Sequence, residues 1–315
     1  MGKKLLDSIL IIIPSYEDPS LISTIQGAMD NAKYPERLHF AVGLQHKRIM
    51  LDLSIYKNLT VIDYGVENRP GLIQVRNDLA SMSADYDYVL SIDAHMTFTK
   101  DWDHNIIFDY EKIQERAGTD KVAISCQVTH SKTFPLLEPC NCTEPKQKNI
   151  HSITSFNANN PVDGTFTLFD NAAPTFEVTE HIDYLPVVYT SMDLFFISSK
   201  YFKEHKFFID KLKMYNDEPL ASYLLFMRGW KAYRPYGPVY AYHDWNPYKF
   251  EQEKNFAALP DSEKDMHDCR MLMLYNSGPF AIESDKTPEE FYIAAGLIDH
   301  YRAIVENPKY KNTYL

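Results

Sequence analysis

Residues 8–13 (SILIII) form an unbroken apolar run of strand length, and the pattern predicts a buried strand ended by Pro14-Ser15-Tyr16. Pro19 and Ser20 then open a helix to about Ala32, with Leu21, Ile22, Ile25 and Met29 on one face. Similar apolar runs return at 38–44 (LHFAVGL), 59–64 (LTVIDY), 86–92 (YDYVLSI) and 121–128 (KVAISCQV). Helical periodicity lies between them, at 72–82 after Arg69-Pro70-Gly71 and again near 103–117. Single buried strands alternating with helices predict an α/β fold with a mainly parallel, Rossmann-like sheet. Ligands on such sheets bind beyond the carboxyl ends of the strands. The Ser15-Tyr16 loop and the end of the 86–92 strand should therefore face one crevice.

The pattern changes at 130–185, where Pro, Asn, Thr and Cys are frequent and helical periodicity is missing. This reads as a loop and antiparallel-strand excursion over the crevice, the segment best placed to shape specificity. Order resumes at 187–199, followed by a helix at about 216–229 and a strand at 238–242. The tail reads as helical over roughly 260–276 and 286–305, with Pro288-Glu289-Glu290 as a helix start. The chain thus divides at 1–128, 129–185, 186–256 and 257–315, with no internal repeat or heptad pattern.

At 315 residues the chain is long enough to bury a substantial core, and 45% hydrophobic with 24% charged residues suits a soluble globular enzyme. A formal net charge of −11 argues against a protein that coats nucleic acid, although a local basic groove is compatible with it. Cys126, Cys140, Cys142 and Cys269 lack paired metal-ligand spacing and read as reduced thiols. LLDSILIIIP is interrupted by Asp7 and Pro14 and is far shorter than the ~20 residues that span a bilayer. It reads as a first strand, and the expectation is a cytoplasmic protein without a membrane anchor.

The stretch VLSIDAHMTF, residues 89–98, carries the candidate chemistry. On an extended chain Asp93 and His95 point to the same side. A carboxylate with a neutral imidazole suits Mn²⁺ or a similar borderline ion better than Ca²⁺. By itself the pair reads equally as a polar strand end with a hydrogen-bonded histidine. Its surroundings add to it: IPSYEDP, NAKYPERLHFAVGLQ, RPGLIQVRNDLA, YVLSIDAHMTFTKDWD, SMDLFFISSKYF, YNDEPLASYLLFMRGWKAYRP, PVYAYHDW and DKTPEEFYIAAGLID follow one another in that order.

This series of blocks resembles the retaining glycosyltransferases typified by UDP-GlcNAc-dependent polypeptide (hydroxyproline) N-acetylglucosaminyltransferases. The resemblance covers 8–127 and 190–300 and does not extend to 130–185. It implies a GT-A fold: a mixed, mainly parallel sheet flanked by helices, with 1–128 as the nucleotide-sugar half, 186–256 as the acceptor and sugar half, and a closing helical segment. The family's Asp-Ser-His-Met motif corresponds to Asp93-Ala94-His95-Met96. The resemblance implies that Asp93 and His95 bind Mn²⁺ (or Mg²⁺) on the diphosphate of a UDP-sugar, with His243 as third ligand. Asp244 is either a partner behind that ligand or a surface residue.

Arg76 stands where the family has a small-residue–Arg pair, and would hold the diphosphate or orient the Asp93 carboxylate; otherwise it is a helix-surface salt bridge. Ser15, Tyr16 and Glu17 follow the first strand, where GT-A enzymes hold base and ribose, and Tyr16 would stack on uracil. Gln45 and Arg48 would approach the base or pyrophosphate, and Trp245 would cover the bound nucleotide or the acceptor. Asp217 and Glu218 replace part of a Gly-Glu-Glu block and would grip sugar hydroxyls or orient the acceptor, unless they only complement a helix N-terminus. Asp193-Leu-Phe-Phe196 would wall the sugar pocket, unless Phe195 and Phe196 are simply core, and Trp102 reads as packing.

By resemblance the acceptor is a protein hydroxyl. A second reading is a viral or bacterial enzyme, acting in a host cytoplasm if viral, that glycosylates hydroxymethylated DNA bases. Lys132, Lys146, Lys148, Lys200, Lys203, Lys206, Lys211 and Lys213 would then form a phosphate track. A third is a non-catalytic sugar-nucleotide-binding module, since fold does not fix function.

Overall fold

The computed structural model describes residues 7–45, 57–65, 70–126, 149–151, 175–177, 184–188, 190–209, 218–235, 240–243 and 262–306. The chain begins with β1 (Ile9–Tyr16), α1 (Leu21–Asp30), β2 (Leu38–Gln45), β3 (Leu59–Asp63), α2 (Leu72–Ala80) and β4 (Tyr88–Ile92). It continues through β5 (Met96–Phe98), α3 (Trp102–Ala117), β6 (Val122–Ser125), β7 (Asn149–His151), β8 (Thr175–Glu177) and β9 (Tyr184–Val187). The remainder is β10 (Leu194–Ser198), α4 (Lys200–Glu204), α5 (Glu218–Met227), β11 (Lys231–Pro235), β12 (Ala241–His243), α6 (Ser262–Tyr275), α7 (Pro288–Ala294) and α8 (Ile298–Val305).

Eight strands form one sheet in the order β3-β2-β1-β4-β10-β6-β11-β9. Six run the same way, and only β10 and β9 oppose their neighbours. The expected mixed, mainly parallel sheet is therefore present. Its apolar runs are continuous because both faces are covered. Ile9, Ile11 and Ile13 of β1 join Leu21 and Ile25 of α1 and Ile106 and Tyr110 of α3 in one core. Leu10 and Ile12 join Ile73 and Leu79 of α2, Tyr223 of α5 and Leu272 of α6 in the other.

The reversed β10 decides which residues meet at the strand ends. It enters the sheet beside the end of β4, with Leu194 opposite Ile92, and leaves with Ser198 opposite Tyr88. Residues just before β10 therefore sit at the same strand ends as residues just after β4. On the helix layer, Trp102 is fully buried, and its indole N–H donates to the Ala28 carbonyl at 2.8 Å, which confirms its packing role. Asp103, also fully buried, ties α3 to the connection before β2. It accepts from the backbone N–H of Lys33 (2.6 Å) and Tyr34 (3.1 Å) and pairs with Arg37 (2.8 Å).

Three local expectations need correction, and one strand, β11, had no expectation at all. β1 does not stop at Pro14 but runs to Tyr16, with Pro14 opposite Gly43 of β2. Pairing with β4 ends at Ile12, so Pro14 lies where β1 has one partner strand, a position that tolerates a missing N–H. β11 carries no clear apolar run, because its inward positions are Ala232 and a buried Arg234, yet it pairs with β6 and β9. The strand placed at 238–242 is shorter and later, Ala241–His243. Finally, the chain does not pass straight through Asp93-Ala94-His95: β4 ends at Ile92, the chain bends, and β5 belongs to a separate two-stranded sheet. In the 130–185 segment, β7 and β8 pair antiparallel as expected. Cys126 and Cys269 are free thiols, while Cys140 and Cys142 lie outside the described residues.

Gly43 sets how closely α2 approaches the sheet. A Cβ there would lie 2.3 Å from Val75 Cγ1, too close for any packed side chain. Gly43→Ala should push α2 outward and cost about 1–3 kcal/mol through overpacking. Urea denaturation checks this, and an unchanged midpoint would contradict it.

Candidate metal centre at the strand ends

The bend at 93–95 is held from below by Thr24 of α1. Its hydroxyl donates to the Ala94 carbonyl and accepts from the Met96 N–H, both at 2.9 Å. β5 then pairs antiparallel with β12 in a register that sets His243 opposite Met96, one residue from His95. One ligand atom from each of Asp93, His95 and His243 falls within a cluster no more than 4.8 Å across. His95 Nε2 and His243 Nε2 are 2.8 Å apart, and Asp93 Oδ2 lies 3.3 Å from His243 Nε2 and 3.9 Å from His95 Nε2.

His95 makes its other contact with Asp18, Nδ1 to Oδ2 at 2.7 Å. An ionised carboxylate only accepts, so Nδ1 carries the hydrogen and the Nε2 of a neutral ring presents its lone pair to the cluster. Two imidazole nitrogens and a carboxylate oxygen aimed at one point repel one another unless a proton or cation lies among them. Two histidines and one carboxylate fit Mn²⁺ or a similar borderline ion, so the donor set suits the metal that the sequence implied.

Arg76 lies behind this cluster. It is only 1% exposed, which rules out the helix-surface salt bridge. Its Nη2 is 3.4 Å from Asp93 Oδ1 and 3.5 Å from the Met192 carbonyl. Asp93, Asp193 and Glu218 all act on this one guanidinium. Withdrawal from water raises the Asp93 carboxyl, but the hydrogen bond with His243 and the charge of Arg76 outweigh it and hold Asp93 below the usual carboxylate range. Asp193 has less compensation. Burial, Asp93 and Glu218 together push it up to about 7. Three carboxylates against one guanidinium leave an excess of negative charge that a divalent cation would balance.

Glu218 is the first residue of α5, and its carboxylate does more than face the helix N-terminus. Its Oε1 accepts from Ser191 Oγ (3.1 Å) and the Met192 N–H (3.0 Å). Ser222 of the same helix accepts from the Thr190 N–H at 2.8 Å. Together they fix the approach to β10 and place Asp193 at the site. Phe195 and Phe196 are core residues.

Ser15 and Tyr16 pair with Leu44 and Gln45 at the adjacent ends of β1 and β2, and the Glu17 N–H donates to the Gln45 carbonyl at 3.2 Å. Glu17 adopts φ +48°, so the chain turns sharply there toward Asp18. The predicted residues Ser15, Tyr16, Glu17 and Gln45 are thus gathered at one edge, with Asp93, His95, His243, Arg76 and Glu218 beside them. Arg48, Asp217, Asp244 and Trp245 lie outside the described residues, as do Lys132, Lys146, Lys148, Lys211 and Lys213. Sequence reasoning missed Asp18, Thr24 and Ser191. Asp18 had one available signal, an acidic residue in the loop directly after a buried strand.

Lys200 and Lys203 belong to α4, which follows β10. Because β10 is reversed, α4 lies at the opposite end of the sheet from Asp93, and Lys200 pairs with Asp120 at 2.8 Å.

No protein-family model matches the chain, and no curated protein matches it. Solved structures do. GalNAc-T7, solved with UDP, GalNAc and Mn²⁺, superposes with a TM-score of 0.51 at 12% identity, over 98% of this chain and 54% of that one. The chain thus spans about half the length of the GalNAc-T7 chain. Residues 1–349 of S. aureus TarS, in complex with UDP-GlcNAc, give a TM-score of 0.52 at 11% identity, over 98% of this chain and 78% of that one. The likeness is one of architecture: this chain has the GT-A fold.

If the cluster is a metal site, Mn²⁺ should raise the melting temperature. At a hundredfold excess over Kd the stabilisation is about 2.7 kcal/mol. His243→Ala should abolish that shift while the metal-free protein still melts cooperatively. A shift retained in His243→Ala would contradict the assignment.

Proposed function

We propose that the protein is a metal-dependent glycosyltransferase that moves a sugar from a UDP-sugar to a hydroxyl group, on a protein in preference to DNA. The observation that carries this is the Asp93–His95–His243 cluster backed by buried Arg76 at the carboxyl end of a GT-A sheet. The solved complexes of like fold hold UDP with Mn²⁺ and UDP-GlcNAc, which supports a UDP-sugar donor.

A divalent ion bound by the cluster supplies Lewis acidity to the diphosphate oxygens. The chain's own residues do the rest. Arg76 holds Asp93 ionised and places a fixed positive charge beside the site where the leaving UDP gains charge. Ser15, Tyr16, Glu17 and Gln45 line the strand ends where base and ribose would sit; the roles of Arg48 and Trp245 there rest on the sequence resemblance alone. Asp193 and Glu218 are the carboxylates placed to meet the sugar and the incoming hydroxyl, and the role of Asp217 rests on the sequence resemblance alone. Transfer proceeds with retention: the hydroxyl attacks from the face the phosphate leaves, and the departing phosphate oxygen takes its proton. A sugar trapped covalently on Glu218 or Asp193 would contradict that route.

The reading of Lys200 and Lys203 as part of a DNA track finds no support in their position, since both lie at the far end of the sheet from Asp93. The intact Asp93, His95 and His243 set beside a buried arginine supports a catalyst over a non-catalytic sugar-nucleotide-binding module, and metal-dependent hydrolysis of a UDP-sugar separates the two.

A screen of UDP-sugars with Mn²⁺, following UDP release with and without peptides bearing Ser, Thr or hydroxyproline, tests the proposal. Arg76→Ala should lower kcat by about 10²–10³-fold, the scale of losing one charge-stabilising donor. Arg76→Lys should fall between, because it keeps the charge without the fork. Equal activity in all three proteins would remove Arg76 from the mechanism. UDP release by none of the donors would remove the function.

A further inference from the structure

Asp18 lies in the IPSYEDP block but carried no assigned role there, yet its contact with His95 is shorter than those among Asp93, His95 and His243 themselves. Its carboxylate is occupied on both sides. Oδ1 accepts from the Ser20 N–H at 2.8 Å, at the entry to α1, and Oδ2 accepts from His95 Nδ1 at 2.7 Å. The side chain is only 11% exposed, so water competes poorly for either bond. The sharp turn at Glu17 and its N–H bond to Gln45 fix the loop on one side, and α1 fixes it on the other.

We infer that Asp18 is a positioning residue that holds His95 in the form protonated at Nδ1, and so keeps Nε2 free to bind a divalent cation with Asp93 and His243. A neutral imidazole has one hydrogen for two nitrogens, and the partner of one nitrogen decides the role of the other. Without Asp18 the hydrogen would move to Nε2 in part of the population, and those molecules would present a donor where a ligand is needed. Asp18 also orients the ring, since its own rotamer is set by a backbone N–H. Thr24, on the same α1, holds the backbone on either side of His95, so loop and helix together fix both ends of this residue.

The affinity consequence rests on the metal reading of the cluster, whereas the tautomer itself can be observed without metal. Long-range ¹H–¹⁵N NMR distinguishes the Nδ1–H form, the Nε2–H form and the doubly protonated ring by their two ¹⁵N shifts, so spectra are compared at a pH where the doubly protonated form is not seen. In metal-free wild-type protein the His95 signals, assigned by their loss in His95→Gln, should be those of the Nδ1–H form. In Asp18→Ala they should shift toward the Nε2–H form. Mn²⁺ titration followed by calorimetry should show Asp18→Ala binding about 10–100-fold more weakly, the loss expected for an outer partner of a ligand histidine. Asp18→Glu should restore part of it. Asp18→Asn keeps an acceptor for the Ser20 N–H and serves if the alanine variant does not fold; it should also bind more weakly than wild type. Wild-type His95 protonated at Nε2, or unchanged His95 signals in both Asp18→Ala and Asp18→Asn, would overturn the inference. If wild type binds no divalent ion, the metal reading fails, and the NMR comparison still decides the role of Asp18.

Discussion

The pairing of β5 with β12 is the contact on which the candidate centre depends. Each strand has three residues, and their register carries His243 to residues 150 positions earlier in the chain. An isolated two-stranded ribbon of this length is not stable alone. It is anchored at its base instead. Buried Tyr240 gives its carbonyl to both the N–H (2.9 Å) and the hydroxyl (3.1 Å) of Thr99, and its own hydroxyl donates to Asp109 on α3. Burial raises the Tyr240 phenol well above its ordinary value, so it remains a donor. The histidine therefore reaches the site on a ribbon fastened to the sheet's helix layer.

The reversal of β10 supplies the second requirement. A wholly parallel sheet would bring only residues that follow strands to the crevice. The antiparallel β10 also brings residues that precede a strand, so Asp193 reaches the site occupied by Asp93. The crowding of Asp93, Asp193 and Glu218 around Arg76 arises directly from this topology. It makes the centre electrostatically incomplete, with an excess of negative charge that a cation would balance. The same reversal sends α4 and its lysines to the other end of the sheet.

The sheet was legible because buried strands announce themselves as unbroken apolar runs, as in 9–13. Most helices were legible to within a few residues because their apolar positions recur with helical spacing, but 286–305 is divided into α7 and α8 and the five-residue α4 was too short to show a period. β11 escaped because a buried arginine occupies one of its inward positions, and apolar patterning has no signal for that. Asp93 and His95 were readable as a pair from local spacing. His243 was not, since nothing local marks a histidine as the partner of residues so distant, and only the ordered series of blocks suggested it. Asp18 was hidden for a different reason: Glu-Asp-Pro-Ser reads as an ordinary helix entry, and one of its two carboxylate oxygens does serve that purpose. Its second oxygen meets His95 only because β1 and β4 are neighbours, which is a fact of the fold.

The central claim is that Asp93, His95 and His243 form one metal site beside Arg76. Anomalous diffraction at the manganese edge, from crystals grown with Mn²⁺ and UDP, tests it most directly. The account predicts a single strong peak bounded by His95 Nε2, His243 Nε2 and the Asp93 carboxylate, with the diphosphate between that peak and Arg76. A peak elsewhere with these three side chains unligated, or UDP bound away from these strand ends, would contradict it.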